Sequence, residues 1–156
     1  PIAPAEVSED VAKEAHELAL RLAQGFELAG ILAIELFVTK DERVIVNELA
    51  PRPHNSGHYT IEACSFDQFD AHIRGIAGWP LEQPELLKPA VMVNVLGQHV
   101  APTRALIAEH PEWNMHDYCK AEVRHDRKMG HITVLTDDTR QTVTYLEGPG
   151  SWDDLK

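Results

Sequence analysis

The stretch ILAIELFVTKDERVIVNELAPRPHNSGHYT, residues 31–60, decides how this chain is read. It opens with a short run, 31–39, rich in apolar and β-branched residues, for which a strand fits better than a helix. A second such run, 44–49, follows after Lys40, Asp41, Glu42 and Arg43. The connection is short enough for a hairpin, although Asp41-Glu42 lacks the glycine that favours a two-residue turn. The second strand ends in a carboxylate, Glu48, and runs into a loop with Arg52, His54, Asn55, Ser56, Gly57 and His58. Turns are built from Gly, Pro, Asn, Asp and Ser, and they need no arginine and two histidines besides.

A hairpin symmetric about Asp41-Glu42 sets Lys40 opposite Arg43, Val38 opposite Ile45 and Glu35 opposite Glu48. The two acids then face each other with Cβ atoms roughly 4.5–5.5 Å apart, a destabilising juxtaposition of like charges. Glu35 lies inside a run that reads as buried on both faces, where an unpaired charge is costly. Protonation of one acid would relieve the pair, as would a nearby lysine or arginine. A hard divalent cation would do the same, as Mg²⁺ does with one or two carboxylates and substrate phosphates. A surface edge with both acids in water is the plain alternative. In the following loop, Arg52 offers a planar fork for phosphate or carboxylate oxygens. His54, Asn55, Ser56 and His58 add polar groups, and Gly57 lets backbone approach a ligand closely.

Working outward toward the N-terminus, Ser8 followed by Glu9 and Asp10 reads as a capped helix start. Val11, Ala15, Leu18 and Leu22 recur at helical spacing until Gly25. Toward the C-terminus, residues 61–77 read as one helix with Ile61, Cys64, Phe69, Ile73 and Ile76 as core, stopped by Gly78-Trp79-Pro80. A proline-bearing linker, 80–89, leads to the strand AVMVNVLG. Composition and rhythm change there, which places a boundary near residue 85. Beyond it, short strands are expected near 122–123, 131–135 and 142–145, with a helix or loop near 104–109. The expected fold is α+β, with 1–85 and 86–156 as its parts and the second a small β-rich domain. Trp79, Trp113 and Trp152 read as packing anchors and Met92 as core. His16, His72, His99, His110 and His116 lack ligand spacing, and the acidic tail 151–156 reads as solvated.

The 156 residues are 44% hydrophobic and 25% charged, a globular composition. No apolar run approaches the ~20 residues of a membrane helix, and the first residues lack a signal-peptide layout. The chain does not start with Met, so a fragment or processed chain is expected. A formal net charge of -11 argues against a nucleic-acid footprint. Cys64 and Cys119 show no CxxC or metal spacing and read as free thiols of a cytosolic protein. Against the acidic background, KAEVRHDRKMGHI, residues 120–132, gathers Lys120, Arg124, Arg127 and Lys128, with His125 or His131 if protonated. A solvated basic turn and an anion clamp both fit this segment, and Gly130 suits a tight turn.

The two acids thirteen positions apart, NELAPRPHNSGH and RKMGHI together resemble the C-terminal half of the ATP-grasp superfamily. Within it they are similar to the N5-carboxyaminoimidazole ribonucleotide synthetase family, from Pro1 to beyond His131. The resemblance implies antiparallel strands with flanking helices, followed by a small β-rich domain. It implies ATP-dependent carboxylation of 5-aminoimidazole ribonucleotide through carboxyphosphate, in purine synthesis. Glu35 and Glu48 would bind Mg²⁺ (or Mn²⁺), and with Asn47 they form the ATP side of the site. Arg52, His54 and Asn55 would be catalytic. Ser56, Lys120, Arg127 and Lys128 would bind substrate, the last three its 5′-phosphate. The superfamily often carries a metal-binding Asn two positions after the second acid. Ala50 stands there, and that ligand role passes neither to it nor to Asn47. The implied partners are ATP, bicarbonate and 5-aminoimidazole ribonucleotide, with no nucleic acid and no membrane. A cytoplasmic homodimer is expected. Family chains are more than twice this length, so half a site is expected here, inactive without the missing N-terminal half. Formate-dependent phosphoribosylglycinamide transformylases share an APRPH-type loop and an RRMG-type clamp, but NSGH and RKMGHI favour the carboxylating family. A non-catalytic ATP-grasp-derived binding module is the other class, against which the joint retention of Glu35, Glu48 and Arg52 argues.

Overall fold

The computed structural model describes residues 1–147. In chain order the elements are β1 (Ile2–Ala3), α1 (Glu9–Gly25), β2 (Ala33–Val38), β3 (Val44–Ala50), α2 (Thr60–Ala63), α3 (Gln68–Ala77), β4 (Ala90–Leu96), α4 (Val100–Leu106), β5 (Asn114–Asp117), β6 (Lys128–Leu135) and α5 (Thr139–Glu147). They form two units. One comprises residues 5–61 and 65–85; the other comprises 1–4, 62–64 and the chain from Leu86 onward.

In the first unit, Ser8 caps α1 as its sequence predicts, its hydroxyl accepting the Val11 N–H at 3.4 Å. The strands β2 and β3 pair antiparallel, and Glu35 faces Glu48. The route to that pairing differs from the symmetric hairpin. Val38 faces Val44, Phe37 faces Ile45 and Leu36 faces Val46, one residue out of phase with the pairs from Glu35 inward. The loop is three residues long: Thr39 N–H donates to Arg43 O at 3.0 Å, and Glu42 sits at φ 58°. Without a glycine pair for a two-residue turn, one left-handed residue closes a longer one. The extra residue on β3 is Asn47, a β-bulge between the two registers. Nor is the strand buried on both faces. Phe37 is 58% exposed, and Val38, Ile45 and Val46 are exposed beside it.

Residues 61–77 form two helices, not one. Asp67 restarts the helix by accepting the N–H groups of Phe69 (2.7 Å) and Asp70 (2.9 Å), and Gly78 ends it at φ 67°. A side-chain cap competes with helix continuation, and here it wins. The expected core positions shift as a result: Phe69, Ile73 (61%) and Ile76 are exposed, as is Trp79 (64%), while Gln68 is buried.

The second unit is built on an antiparallel sheet in the order β1-β4-β6-β5. Alternation puts Val91, Val93 and Val95 on one face with their partners Ile132 and Val134. Val100 of α4, Trp113 and Leu146 of α5 join Val91, Val95, Ile132 and Val134 in the core. Met92, His131 and Thr133 are buried on the other face. The strand β5 carries no strong period and is missed in the sequence reading; residues 122–123, expected as a strand, lie in a turn segment between Cys119 (φ 51°) and Asp126 (φ 59°). Residues 142–145 are helical despite their β-branched composition. Asp138 accepts the Gln141 N–H at 2.9 Å, and Leu146 anchors the helix in the core. Gly130 lies within β6 instead of a turn, where an added Cβ would come 2.4 Å from His116 O. Trp113 anchors the core as expected, while Trp152 and the tail 151–156 lie outside the described residues. Among the described residues, no helix is long and apolar enough to cross a membrane.

Candidate active site

The bulge builds the acidic part of the site. In a bulge two residues oppose one, so Asn47 and Glu48 both sit across from Glu35. The Asn47 Nδ2 donates to Glu35 Oε2 at 3.2 Å. His54 Nε2 lies 3.7 Å from the other oxygen, Oε1. Glu48 is exposed, and among the described residues no lysine or arginine is ion-paired with either acid. Two hard oxygen donors side by side, one steadied by an amide, suit a hard cation that takes its remaining ligands from phosphates and water. Groups of three or more metal-ligating side chains are absent among the described residues, which offer the carboxylate pair.

The loop after β3 is ordered by its own side chains. His54 caps the 3₁₀ turn Asn55–Gly57: its Nδ1 accepts the Ser56 N–H at 3.4 Å and lies 2.9 Å from Ser56 Oγ. Acceptance at Nδ1 leaves the ring proton on Nε2, the nitrogen that faces Glu35. The Arg52 guanidinium is exposed and donates to the Pro53 carbonyl at 3.2 Å, which leaves most of its donors available to an anion. Glu35, Asn47, Glu48 and His54 thus converge, with Arg52, Asn55 and Ser56 on the adjoining chain. Sequence reasoning missed Gln68, which bonds both backbone groups of His54 and the ring of His58. Its only signal is a polar residue at the first turn of a helix, which by itself is ordinary.

The basic segment belongs to the other unit. Lys120 Nζ donates to Lys128 O at 2.6 Å and stands 5.4 Å from the Tyr118 ring centroid. Arg127 Nη1 donates to Glu122 O at 3.3 Å. Lys128 opens β6 and is exposed. Arg124 is taken up by Glu122, and His131 is buried with Nδ1 2.9 Å from the Tyr118 hydroxyl, so neither adds to an exposed cation cluster. Gly97 seats this segment: a Cβ there would come 1.9 Å from Arg124 O. Beside it Gln98 and Asp126 bond twice, at 2.9 Å each, and the Gln98 hydrogen bond holds the Asp126 carboxyl below its ordinary range.

An apolar cavity of about 360 Å³, lined by Phe26, Leu28, Leu32, Leu49 and Pro51 among others, lies near the hairpin. Leu49 points to the face opposite Glu48 by strand alternation, so this cavity is not the carboxylate site.

The ATP-grasp domain family model matches residues 1–69, and the phosphoribosylaminoimidazole carboxylase C-terminal domain model matches residues 90–144. The N5-carboxyaminoimidazole ribonucleotide synthase of Staphylococcus saprophyticus is 46% identical over 142 residues, covering 90% of this chain and 38% of the relative. The chain matches the C-terminal part of N5-carboxyaminoimidazole ribonucleotide synthases. Solved family structures agree. The Staphylococcus aureus N5-carboxyaminoimidazole synthetase superposes with a TM-score of 0.87 at 46% identity, over 93% of this chain and 39% of that one. The N5-carboxyaminoimidazole synthase of Aspergillus clavatus, in complex with ADP and 5-aminoimidazole ribonucleotide, gives 0.84 at 35% identity, over 94% and 41%. The chain therefore spans about 38% of the length of the curated relative it matches. The carboxylate hairpin, the 52–58 loop and Gln68 fall in the ATP-grasp match, and Lys120, Arg127 and Lys128 fall in the C-terminal domain match.

Proposed function

We propose that this chain supplies part of the active site of a ligase that uses ATP and bicarbonate to carboxylate 5-aminoimidazole ribonucleotide, giving N5-carboxyaminoimidazole ribonucleotide for purine biosynthesis. The observation that carries the reading is the hairpin pair Glu35 and Glu48, face to face, with Asn47 turned onto Glu35. The names of the relatives, and the ADP and 5-aminoimidazole ribonucleotide bound to the Aspergillus clavatus protein, support it.

Bicarbonate oxygen attacks the γ-phosphorus of ATP and ADP leaves, giving carboxyphosphate. The ribonucleotide amine then attacks the carboxyl carbon, directly or as released CO₂, and phosphate departs. Glu35 and Glu48 would hold Mg²⁺ (or Mn²⁺), and Asn47 fixes the Glu35 carboxylate. When bound, the cation would supply neutralisation of charge on the phosphates. Arg52 donates in a fork to the carboxyphosphate oxygens. His54, from Nε2, and Asn55 line the carboxyl transfer. Ser56 binds the ribonucleotide, and Lys120, Arg127 and Lys128 take its 5′-phosphate. The same reading divides the protein near residue 85 into an ATP-grasp part and a small C-terminal domain, and places it as a homodimer in the cytoplasm.

The test is ADP release by a protein of the relatives' full length that contains this chain. One cuvette holds Mg²⁺-ATP, bicarbonate and 5-aminoimidazole ribonucleotide; the other holds Mg²⁺-ATP, formate and phosphoribosylglycinamide. Turnover in the first alone is expected, lowered roughly 100-fold or more by Glu48→Gln, with none from the 156-residue chain by itself. Turnover in the second alone would establish a formyl-transferring enzyme, and silence in both a binding module.

A further inference from the structure

The loop that carries His54, Asn55, Ser56 and His58 is held from behind by one side chain to which the proposed chemistry gives no task. Gln68 is 7% exposed at the first position of α3. Its Oε1 accepts the His54 N–H at 2.8 Å, and its Nε2 donates to the His54 carbonyl at 2.8 Å. The amide pairs with His54 as a residue of a neighbouring strand would. These two bonds fix its orientation, since an N–H needs the oxygen and a carbonyl needs the nitrogen. The same Nε2 lies 2.7 Å from His58 Nδ1. A ring nitrogen facing an amide donor must offer its lone pair, so the His58 proton sits on Nε2. Gly57 lies against the same amide, where a Cβ would come 2.6 Å from Oε1. Thr60 Oγ1 closes the assembly, donating to Gly57 O at 2.6 Å and accepting the Gln68 N–H at 3.1 Å. The Phe69 ring stacks on His58 at 5.5 Å.

We propose that Gln68 is the positioning residue of the 54–58 loop: its amide sets the His54 backbone and holds His58 neutral with the ring proton on Nε2. Glutamate at this place would still accept from His54 N–H. Ionised, it would have no proton for the His54 carbonyl or for His58 Nδ1. His58 would answer by taking up a proton on Nδ1, placing a cation in the loop. Methionine matches the length of the side chain and removes the hydrogen bonds together. The link from this geometry to turnover rests on the carboxylating reading; the ring chemistry does not.

The experiment uses the full-length protein with ¹⁵N-labelled histidine, as wild type, Gln68→Glu and Gln68→Met. The His58 signals are identified by their loss in His58→Gln. Near neutral pH the wild-type His58 is expected neutral with Nδ1 unprotonated, and Gln68→Glu is expected to turn it into an imidazolium. A wild-type ring protonated on Nδ1, or a ring unchanged by Gln68→Glu, overturns the proposal. In steady-state kinetics Gln68→Met is expected to lower kcat about 10- to 100-fold with the KM for ATP little changed. Full kcat in that variant overturns the positioning role. If wild type turns over neither substrate pair, the carboxylating reading has failed, and the ring spectra still decide the proposal.

Discussion

At the scale of single residues, the site depends on one that the ladder does not pair. Asn47 is the bulged residue of β3, and its amide holds one oxygen of Glu35 while His54 faces the other. A supporting residue of this kind sets where a ligand's lone pairs point, and its loss typically costs about 10- to 100-fold in metal affinity. Asn47→Ala should therefore raise the Mg²⁺ concentration for half-maximal activity by about 10-fold, with the melting temperature nearly unchanged, since the hydrogen bond is exposed. An unchanged Mg²⁺ requirement would remove Asn47 from the site. The pairing of Glu35 with Glu48 was legible in the sequence, although the register near the turn was not. The Asn47 contact was not, because a bulge has no signature in a string of letters.

At the scale of elements, the sequence shows what has strong local determinants. The helix α1 follows from a capping serine and an apolar stripe, and β4 from a hydrophobic run broken by Asn94 alone. The break between α2 and α3 was hidden, because Asp67 reads equally well as an exposed helical residue or as a cap. The helix α5 was misread because TVTY favours strands locally, while the Asp138 cap and the burial of Leu146 decide otherwise. The basic segment 120–128 was legible as composition, but its seat was not. Gly97 is where that segment comes down on the chain, with backbone only 1.9 Å from a Cβ that glycine lacks. A backbone atom cannot swing aside, so Gly97→Ala should destabilise the protein by about 1–3 kcal/mol in chemical unfolding. It should also raise the KM for the phosphate-bearing substrate, because the turn carrying Arg127 must move. Wild-type values for both would show that the segment relaxes freely.

At the scale of the whole molecule, the formal charge of -11 sets the background against which a few cations act. Such a chain repels itself, and salt relieves the repulsion. Screening shortens from about 30 Å at about 10 mM salt to about 8 Å at physiological strength. The melting temperature should rise across that range, while binding of the phosphate-bearing substrate weakens; a melting temperature that falls with salt would mean that attractive pairs outweigh the net charge. That the first residues belong with the chain beyond Leu86 was not visible in the sequence. Ile2 and Ala3 pair with Val91 and Ala90, and Pro1 O accepts the Met92 N–H at 2.8 Å, so the first residues complete a sheet whose other strands begin nearly ninety positions later. Read for cloning, that pairing is a warning about where to cut. A piece started at residue 86 keeps the hydrophobic run AVMVNVL but strips the cover from its first hydrogen-bonding groups. It presents a bare apolar edge of the sort that recruits further copies into aggregates. Keeping Pro1, Ile2 and Ala3 with β4 should therefore keep such a piece monomeric where the shorter one associates.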